Sequence, residues 1–292
     1  ELSAAARMAI VYLNGRFVPE AEALIPANDR GFVFGDGIYE VVRILEGQVF
    51  AWDAHAARMA QGLAGIRIDA FGTADVAALH EVCTRLVREN DLATGEATVY
   101  LQVSRGAATR THHFPPADTP PTVYAAAQRF TPNFPMRDWG AKGIIFADIR
   151  WARCDLKTVN LLGPVLARQA AKEQDAYEAI LHRDGMVTEG AATNAFMVID
   201  GVLRTHPLTH HILPGITRAI LMEIVRELGI PCEERPVPLQ DLPAVDELFV
   251  CGTTTDVQPI VTLDGRPIGQ GVPGPITVRI KDAFAQRLYG PR

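Results

Sequence analysis

Short apolar runs separated by turn dipeptides mark the first half of the chain. Residues 10–19 form two such runs around Asn14-Gly15, a dipeptide that suits the type I′ turn of a β-hairpin. Further apolar runs predict strands, and apolar residues at helical spacing predict helices. These predicted elements are strands over 38–45, 98–104 and 122–128 and helices over 53–63 and 74–90. Asp53 is expected to cap the first helix, and the polar segment 106–121 is expected to be a loop.

The second half of the chain mixes the same two patterns. Asp184-Gly185, Asp200-Gly201 and Asp264-Gly265 lie between apolar runs and indicate hairpin turns. The predicted elements are strands over 143–150, 177–182, 195–199, 202–205 and 246–251 and helices over 161–174, 215–228 and 275–288. Because hairpins and helices are mixed without a regular β–α alternation, the pattern predicts an α+β fold.

The segment from Phe130 to Gly140 is the best candidate for an interdomain linker because it contains Pro132 and Pro135. It divides the chain into an N-terminal α+β domain over 8–129, a linker over 130–140 and a C-terminal domain over 141–292. Met8 looks like a native beginning, so residues 1–7 are interpreted as an extension or an expression remnant.

Composition excludes several classes of function. The net charge is −6 and there is no basic block, so no nucleic-acid partner is expected. No apolar run approaches the roughly 18–20 residues that span a membrane. Four dispersed cysteines favour a reduced, cytoplasmic protein.

Candidate chemistry is limited by the few serines and the histidine pattern. The two serines, Ser3 and Ser104, lie outside any GxSxG motif, which argues against a serine hydrolase. The pairs His112-His113 and His210-His211 lack the spacing of metal ligands, so no metal is expected.

Lys157 is the most distinctive basic residue. The chain has four lysines, and Lys157 alone follows an apolar run and precedes an apolar segment. A lysine amine in such a place can form a Schiff base. From the residues alone, a solvated loop lysine remains the simpler interpretation.

Two segments resemble those of the class IV aminotransferases, the fold type IV pyridoxal-phosphate enzymes. Residues 155–162, Asp-Leu-Lys-Thr-Val-Asn-Leu-Leu, are similar to the family's cofactor-lysine segment, and Val187 to Asn194 resembles its EGxxxN segment. The resemblance implies that Lys157 binds pyridoxal 5'-phosphate and that Glu189 contacts its pyridine nitrogen. Ala191 and Ala192 stand where close relatives often have serines, so a hydroxyl contact there is lost or moved to Thr193.

The cofactor's phosphate is expected at the start of the helix over 215–228. Free N–H groups and the helix dipole favour an anion there, although Thr217 alone could be an ordinary first-turn residue and Arg58 a solvated one. The resemblance implies a cofactor-binding set of Arg58, Lys157, Glu189, Leu213, Ile216, Thr217 and Thr253. Gly252 replaces a hydroxyl residue of close relatives, so that contact would come from the backbone.

The segment Gly106 to His112 resembles the substrate loop of D-amino acid aminotransferases within this family. The resemblance implies that Arg110, His112 and Tyr39 bind the substrate's α-carboxylate, since arginine can form two parallel bonds to a carboxylate. In the family this loop reaches the neighbouring subunit's active site, which implies a homodimer.

The resemblance covers residues 12–288 and implies a two-domain fold with a smaller N-terminal α+β domain and a larger C-terminal pseudo-barrel domain. The expected reaction moves an amino group from a D-amino acid, with D-alanine favoured, to 2-oxoglutarate. It gives a 2-oxo acid and D-glutamate by ping-pong kinetics. An L-branched-chain aminotransferase, an aminodeoxychorismate lyase and a non-catalytic binding relative remain alternatives, and activity on (R)-amines without a carboxylate stays open.

Overall fold

The computed structural model describes residues 9–290. The predicted start at Met8, the proposed extension 1–7 and the last two residues therefore lie outside the described residues. Two compact units emerge: unit 1 runs to Thr131 and includes Leu156–Asn160, and unit 2 comprises Pro132–Asp155 and the chain from Leu161 onward. The domain bounds predicted from sequence stay a prediction, and Lys157 belongs to the segment grouped with unit 1.

Unit 1 is built on an antiparallel sheet whose strand order is β2-β1-β6-β5-β3-β4. Its elements are β1 Ile10–Leu13, β2 Arg16–Pro19, α1 Arg30–Phe34, β3 Gly37–Leu45, β4 Gln48–Val49, α2 Trp52–Gly65, α3 Thr73–Glu89, β5 Glu96–Ser104 and β6 Thr122–Arg129. The predicted first hairpin is confirmed, because Asn14 and Gly15 both have positive φ, 47° and 88°.

Helices α2 and α3 pack their apolar stripes on this sheet. Val42 and Val99 from the sheet and Cys83 and Leu86 from α3 are fully buried in one apolar cluster. Burial of such side chains is the main favourable term in folding. The sheet therefore provides a rigid base for the side chains that β3 carries on its edge and faces.

The start of α2 differs from the prediction. Asp53 is not the N-cap; the helix begins at Trp52 and its N-cap is Ala51, which has left-handed backbone at φ 53° and no side-chain cap bond. The preceding turn brings the chain into the helix two residues earlier than predicted, so Asp53 lies in the first turn. There its negative charge still complements the helix dipole.

Unit 2 contains a mixed sheet of order β12-β11-β10-β13-β14-β7-β8-β9, with β15 paired to β14. Its elements are α4 Phe134–Trp139, β7 Ala141–Ala147, α5 Leu162–Glu173, β8 Glu178–Arg183, β9 Met186–Gly190, β10 Asn194–Ile199, β11 Val202–Thr205, α6 Ile216–Glu227, β12 Cys232–Glu234, β13 Glu247–Gly252, β14 Asp256–Leu263, β15 Arg266–Pro267 and α7 Pro275–Tyr289. The strand β9 lies at one edge of this sheet and β10 lies inside it, yet a tight turn joins them, in which Gly190 N donates to Thr193 O at 2.7 Å. The sheet must therefore curl to bring β9 close to β10.

The strand predicted over 143–150 ends earlier. The ladder of β7 stops at Ala147, and the side chain of Asp148 then accepts from the backbone N–H of Arg150 at 3.0 Å. This Asx-type turn competes with further strand pairing. The predicted linker segment also has regular structure, since α4 begins after Asn133, whose side chain accepts from Met136 N.

The α+β fold class is confirmed by these two sheets with their covering helices. Across residues 9–290, no helix combines the length and apolar character that crossing a lipid bilayer requires.

Candidate active site

Lys157 lies in a short segment that pairs with the free edge of β3 in unit 1. Tyr39 N donates to Lys157 O at 3.0 Å, and Val159 N donates to Gly37 O at 3.0 Å. Thr158 forms the bridge to Ile38 between these two bonds. Two backbone bonds thus fix the lysine's Cα although it belongs to no regular element.

Tyr39 is the side chain that the structure brings to Lys157. The Lys157 Nζ atom is 4.1 Å from the centroid of the Tyr39 ring. The ring also stacks on Tyr100 with centroids 5.6 Å apart, and the Tyr100 hydroxyl donates to Gln102 Oε1 at 2.6 Å. Burial raises the pKa of Tyr100 to about 12, so it stays a neutral donor and holds the stack in place.

Arg58, the predicted phosphate arginine, is held by Glu40 on the neighbouring position of β3. Its Nε donates to Glu40 Oε1 and its Nη2 to Glu40 Oε2, both at 2.7 Å. His55 Nδ1 lies 2.8 Å from Glu40 Oε2. Burial opposes the charge of Glu40, but the Arg58 bonds and charge outweigh it and lower the pKa of Glu40 to about 2.

Glu189, the predicted acid, is buried on β9 in unit 2. Its Oε2 accepts from Asn194 Nδ2 at 2.8 Å, its Oε1 pairs with Arg150 Nη1 at 2.5 Å, and Leu213 N donates to both oxygens at 3.1–3.2 Å. Burial raises the pKa of Glu189 to about 7, although Arg150 favours the charged form. A cationic partner such as a protonated ring nitrogen would add to the effect of Arg150.

Arg150 is itself clamped on its other side. Its Nε and Nη2 donate to the Asp148 carboxylate at 2.9 Å each, and Arg183 Nη2 lies 3.1 Å from the same carboxylate. Although burial opposes the charge of Arg150, its bonds to Asp148 and the charge of Glu189 raise its pKa. Arg150 is therefore a fixed cation next to Glu189.

Asn194 connects Glu189 to the start of α6. Its Nδ2 also donates to Leu213 O at 2.9 Å, and a Cβ added to Gly215 would collide with Asn194 Oδ1. Only glycine fits this close approach. Gly215 then begins α6 without a side-chain cap bond, with Ile216 and buried Thr217 in the first turn. This start of a helix has the features of an anion site.

The turn after β13 carries Thr253 and lies next to the segment 192–193 of unit 2. A Cβ on Gly252 would lie 3.7 Å from Ala192 O and 3.7 Å from Thr193 Cγ2, which is ordinary contact. Glu189, Leu213 and Gly215 thus meet at Asn194, and Gly252, which precedes Thr253, lies next to Ala192 and Thr193.

Arg110 and His112 are exposed in the loop between β5 and β6 of unit 1. The Arg110 guanidinium carbon is 5.2 Å from the centroid of the Phe34 ring, and the His112 ring is 5.7 Å from the same ring, centroid to centroid. Phe34 brings these two residues together, whereas the ring contacts of Tyr39 are with Lys157 and Tyr100.

The residues present fit pyridoxal phosphate. The chain contains a partly buried amine, a buried acid, an arginine held by a buried carboxylate and a helix start where only glycine fits. These are the groups that a pyridoxal-phosphate enzyme needs for covalent attachment, ring-nitrogen contact and phosphate binding.

The supporting residues were not among those predicted from sequence. Glu40, His55, Asp148 and Arg150 all contact predicted site residues or their partners. The sequence contained one signal for Glu40, because this charged residue interrupts an apolar strand. Side chains alternate along a strand, so Glu40 must face the helices if Tyr39 faces the opposite side of the sheet. The pairing of Arg150 with Glu189 joins residues 39 apart and has no local signal.

Comparison with known proteins identifies the family of this chain. The model of the amino-transferase class IV family matches residues 37–263. D-alanine aminotransferase of Staphylococcus aureus (strain N315) is 40% identical over 278 residues, which cover 95% of this chain and 97% of that protein. D-alanine aminotransferase of Listeria innocua is 39% identical over 280 residues, with 95% and 96% covered.

Solved structures share the fold. The branched-chain amino acid aminotransferase of Escherichia coli matches with a TM-score of 0.87 at 27% identity and covers 95% of this chain and 94% of its own. The branched-chain aminotransferase from Thermoproteus uzoniensis, solved with norvaline, matches at 0.82 and 27% identity, with 95% and 93% covered. A further branched-chain enzyme, solved with pyridoxamine 5'-phosphate, matches at 0.85 and 26% identity, with 98% and 96% covered.

The prediction of a fold type IV aminotransferase made from the lysine and EGxxxN segments is thereby confirmed. The family model spans most of the chain, including Lys157 and Glu189. The chain belongs to the amino-transferase class IV family and is an enzyme of that family.

Proposed function

We propose that this aminotransferase moves the amino group of a D-amino acid, with D-alanine as the donor, to 2-oxoglutarate. The products are the corresponding 2-oxo acid and D-glutamate, formed in two half-reactions with ping-pong kinetics. The observation that carries the proposal is the 40% identity, over 95% of the chain, to a D-alanine aminotransferase. The solved neighbours named as branched-chain enzymes have lower identity, 26–27% for the three described above.

Pyridoxal 5'-phosphate is the cofactor, and when bound it supplies a carbonyl that condenses with amines and a ring that accepts electrons. We propose that Lys157 Nζ binds it covalently, and that Glu189 contacts its ring nitrogen. Leu213 packs on the ring. Ile216 and Thr217 in the first turn of α6 would bind its phosphate, with Thr253 and Arg58 as further partners.

Lys157 also moves the proton. When it is not bonded to the cofactor, its amine would take the proton from the substrate Cα and deliver it to the cofactor's carbonyl carbon, and it would move a proton the other way in the second half-reaction. The neighbouring Tyr39 ring, 4.1 Å from Nζ to the centroid, limits where that amine can lie. Two backbone hydrogen bonds with β3 also restrict the segment 157–159. Because both the backbone and the amine of Lys157 are restricted, proton transfer to one face of the substrate is favoured.

Glu189 stabilises positive charge at the ring nitrogen. Its carboxylate is held by Arg150, Asn194 and the Leu213 N–H, so it needs little reorganisation when it meets a cation. Such a preorganised charge would favour the protonated ring nitrogen, the form in which the ring accepts electrons best.

The substrate carboxylate is proposed to bind Arg110, His112 and Tyr39. Arg110 and His112 are exposed in the single chain, as expected for a loop that reaches a second subunit. A homodimer is therefore part of this proposal. The four cysteines are free thiols, which supports a reduced, cytoplasmic setting.

Replacing Lys157 with alanine should abolish turnover, because both the covalent link and the base are lost. The absorbance of lysine-bound cofactor should disappear while thermal unfolding changes little. Lys142→Ala is the matched control, since that lysine is 59% exposed and pairs only with Asp175 among the ion pairs described. Turnover near the wild-type level in Lys157→Ala would falsify the covalent assignment.

Replacing Glu189 with glutamine should keep the cofactor bound but slow the half-reaction with D-alanine roughly 10²–10³-fold, because a preorganised charge is removed. Stopped-flow absorbance measures this rate. Glu247→Gln provides a buried-acid control, because Glu247 accepts from Thr277 N at 2.7 Å at the start of α7. Equal rates in both variants would remove Glu189 from the ring-nitrogen role.

The cofactor-free protein should show the raised pKa of Glu189 in its stability. The folded pKa of about 7 lies above the ordinary value of 4.5, so the native state holds a proton that the unfolded chain releases in this window. The contribution of Glu189 to the free energy of unfolding is therefore fully present below pH 4.5 and is lost as pH rises through 7. Urea unfolding at pH 5 and pH 7.5 measures it. Glu189→Gln should lose this pH dependence and Glu247→Gln should retain it; an unchanged pH dependence in Glu189→Gln contradicts the assignment.

Replacing Arg110 with alanine should lower kcat/KM for D-alanine about 10- to 150-fold, the effect of losing a charged hydrogen bond worth about 1.5–3 kcal/mol. Arg88→Ala, an exposed arginine on α3 of the same unit, serves as the control. If Arg110→Ala kept the wild-type kcat/KM, the carboxylate role of this loop would have to be abandoned.

A further inference from the structure

Helix α1 contacts the loop 106–121, which carries the proposed carboxylate ligands Arg110 and His112, through a buried arginine. Arg30 is 4% exposed. Its Nη1 donates to Thr111 O at 2.7 Å and lies 3.4 Å from His113 O, the two residues on either side of His112. Its Nε donates to Asp36 Oδ2 at 2.8 Å. One guanidinium therefore joins a fixed carboxylate to the backbone of the loop.

The base of the same loop is fastened to the same segment. Arg30 N donates to Gly106 O at 2.9 Å, and Asp29 forms a bridge to Ala107. The Asp29 carboxylate accepts from Ser104 Oγ at 2.8 Å and from Thr122 Oγ1 at 2.6 Å. Both strands that flank the loop are thus tied to the residues just before α1.

Asp36 is held by a second arginine. Arg105 donates to it through Nε at 2.8 Å and Nη2 at 3.0 Å. Arg105 also donates to Ile66 O and Arg67 O at the end of α2. Asp36 is therefore fixed by Arg105 and the end of α2, and from this position it can orient Arg30.

Phe34, at the other end of α1, contacts the side chains of the loop. The Arg30 guanidinium carbon lies 4.7 Å from the Phe34 ring centroid, that of Arg110 lies 5.2 Å from it, and the His112 ring lies 5.7 Å away. Arginine stacks favourably on aromatic faces. Helix α1 thus contacts the loop at its backbone through Arg30 and at Arg110 and His112 through Phe34.

We propose that Arg30 and Phe34 are positioning residues for substrate binding: they hold the loop so that Arg110 and His112 present their donors to the substrate carboxylate. This inference rests on the proposed function of the loop. Neither residue needs to touch the substrate; both act through Arg110 and His112.

The first test removes the forked geometry and keeps a charge. In Arg30→Lys a single ammonium cannot span Asp36 and both carbonyls. Hydrogen exchange of the cofactor-loaded protein should become about tenfold faster or more in a peptide covering residues 107–114. The D-alanine concentration at half-maximal half-reaction rate should rise about tenfold, while the limiting rate stays within about threefold.

Arg43→Lys is the matched control. Arg43 is also buried, 1% exposed, and its Nε donates to Glu96 Oε2 at 2.6 Å at the far end of β3. The same replacement there should leave the exchange of 107–114 and the D-alanine dependence unchanged. If Arg43→Lys had the same effects as Arg30→Lys, general destabilisation would explain both and the proposal would fail.

Phe34→Leu is a second variant that leaves the buried charges intact. It removes the ring that Arg110 and His112 both contact, so it should raise the D-alanine concentration at half-maximal rate. The hydrogen exchange of the peptide 107–114 should change no more than it does in Arg30→Lys. It keeps the proposal testable if Arg30→Lys folds poorly. An unchanged D-alanine dependence in Phe34→Leu contradicts the role of the ring.

A double-mutant cycle separates positioning from a structural role. If Arg30 acts through the loop, Arg30→Lys should change kcat/KM less than about twofold when Arg110 and His112 are both already alanine. An equal loss in both backgrounds overturns the positioning role of Arg30. If Arg110→Ala alone has no effect, the proposed function of the loop fails and this inference fails with it.

Discussion

The edge of β3 is the constraint on which the functional groups of unit 1 depend. Tyr39 N–H and Gly37 C=O bind the backbone of 157–159, which places Lys157 although that segment lies in no helix or strand. Alternation along the same strand puts Tyr39 beside the lysine and turns Glu40 towards Arg58 on α2. The other side of β3 pairs Gly37 with Ser104, at the base of the loop that carries Arg110. A distortion of this one strand would therefore displace the lysine, the arginine and the loop together.

Pairs of a carboxylate and an arginine fix three of the side chains discussed above. Glu40 holds Arg58, Asp36 holds Arg30, and Arg150 holds Glu189. A buried charge without a partner is costly, so each pair tolerates few alternative arrangements. The three pairs differ in outcome, because Arg58 lowers the pKa of Glu40 to about 2 whereas burial keeps that of Glu189 near 7. The contrast suits different tasks: the low pKa keeps Glu40 ionised beside Arg58, and the proposed role of Glu189 would place a cation beside it that favours its charged form.

The sequence predicted local structure well where the signal was local. The Asn14-Gly15, Asp184-Gly185 and Asp200-Gly201 turns all have the positive φ values that their residues favour. The helix cap at Asp53 was wrong, since the turn before α2 determines where the helix begins. The pairing of 157–159 with β3 and of Arg150 with Glu189 could not be predicted, because each depends on long-range packing. The family resemblance singled out Lys157 and Glu189 as candidate site residues, but the residues that hold them became visible only with the fold.

The central claim is that this scaffold acts on D-amino acids, and a half-reaction titration tests it most directly. Purified protein loaded with pyridoxal phosphate would be mixed separately with D-alanine and with L-leucine, and the conversion of the absorbance to that of the pyridoxamine form would be followed. The account predicts rapid conversion by D-alanine and none by L-leucine over the same time. Conversion by L-leucine alone would contradict it and would assign the chain to the branched-chain activity of its structural neighbours.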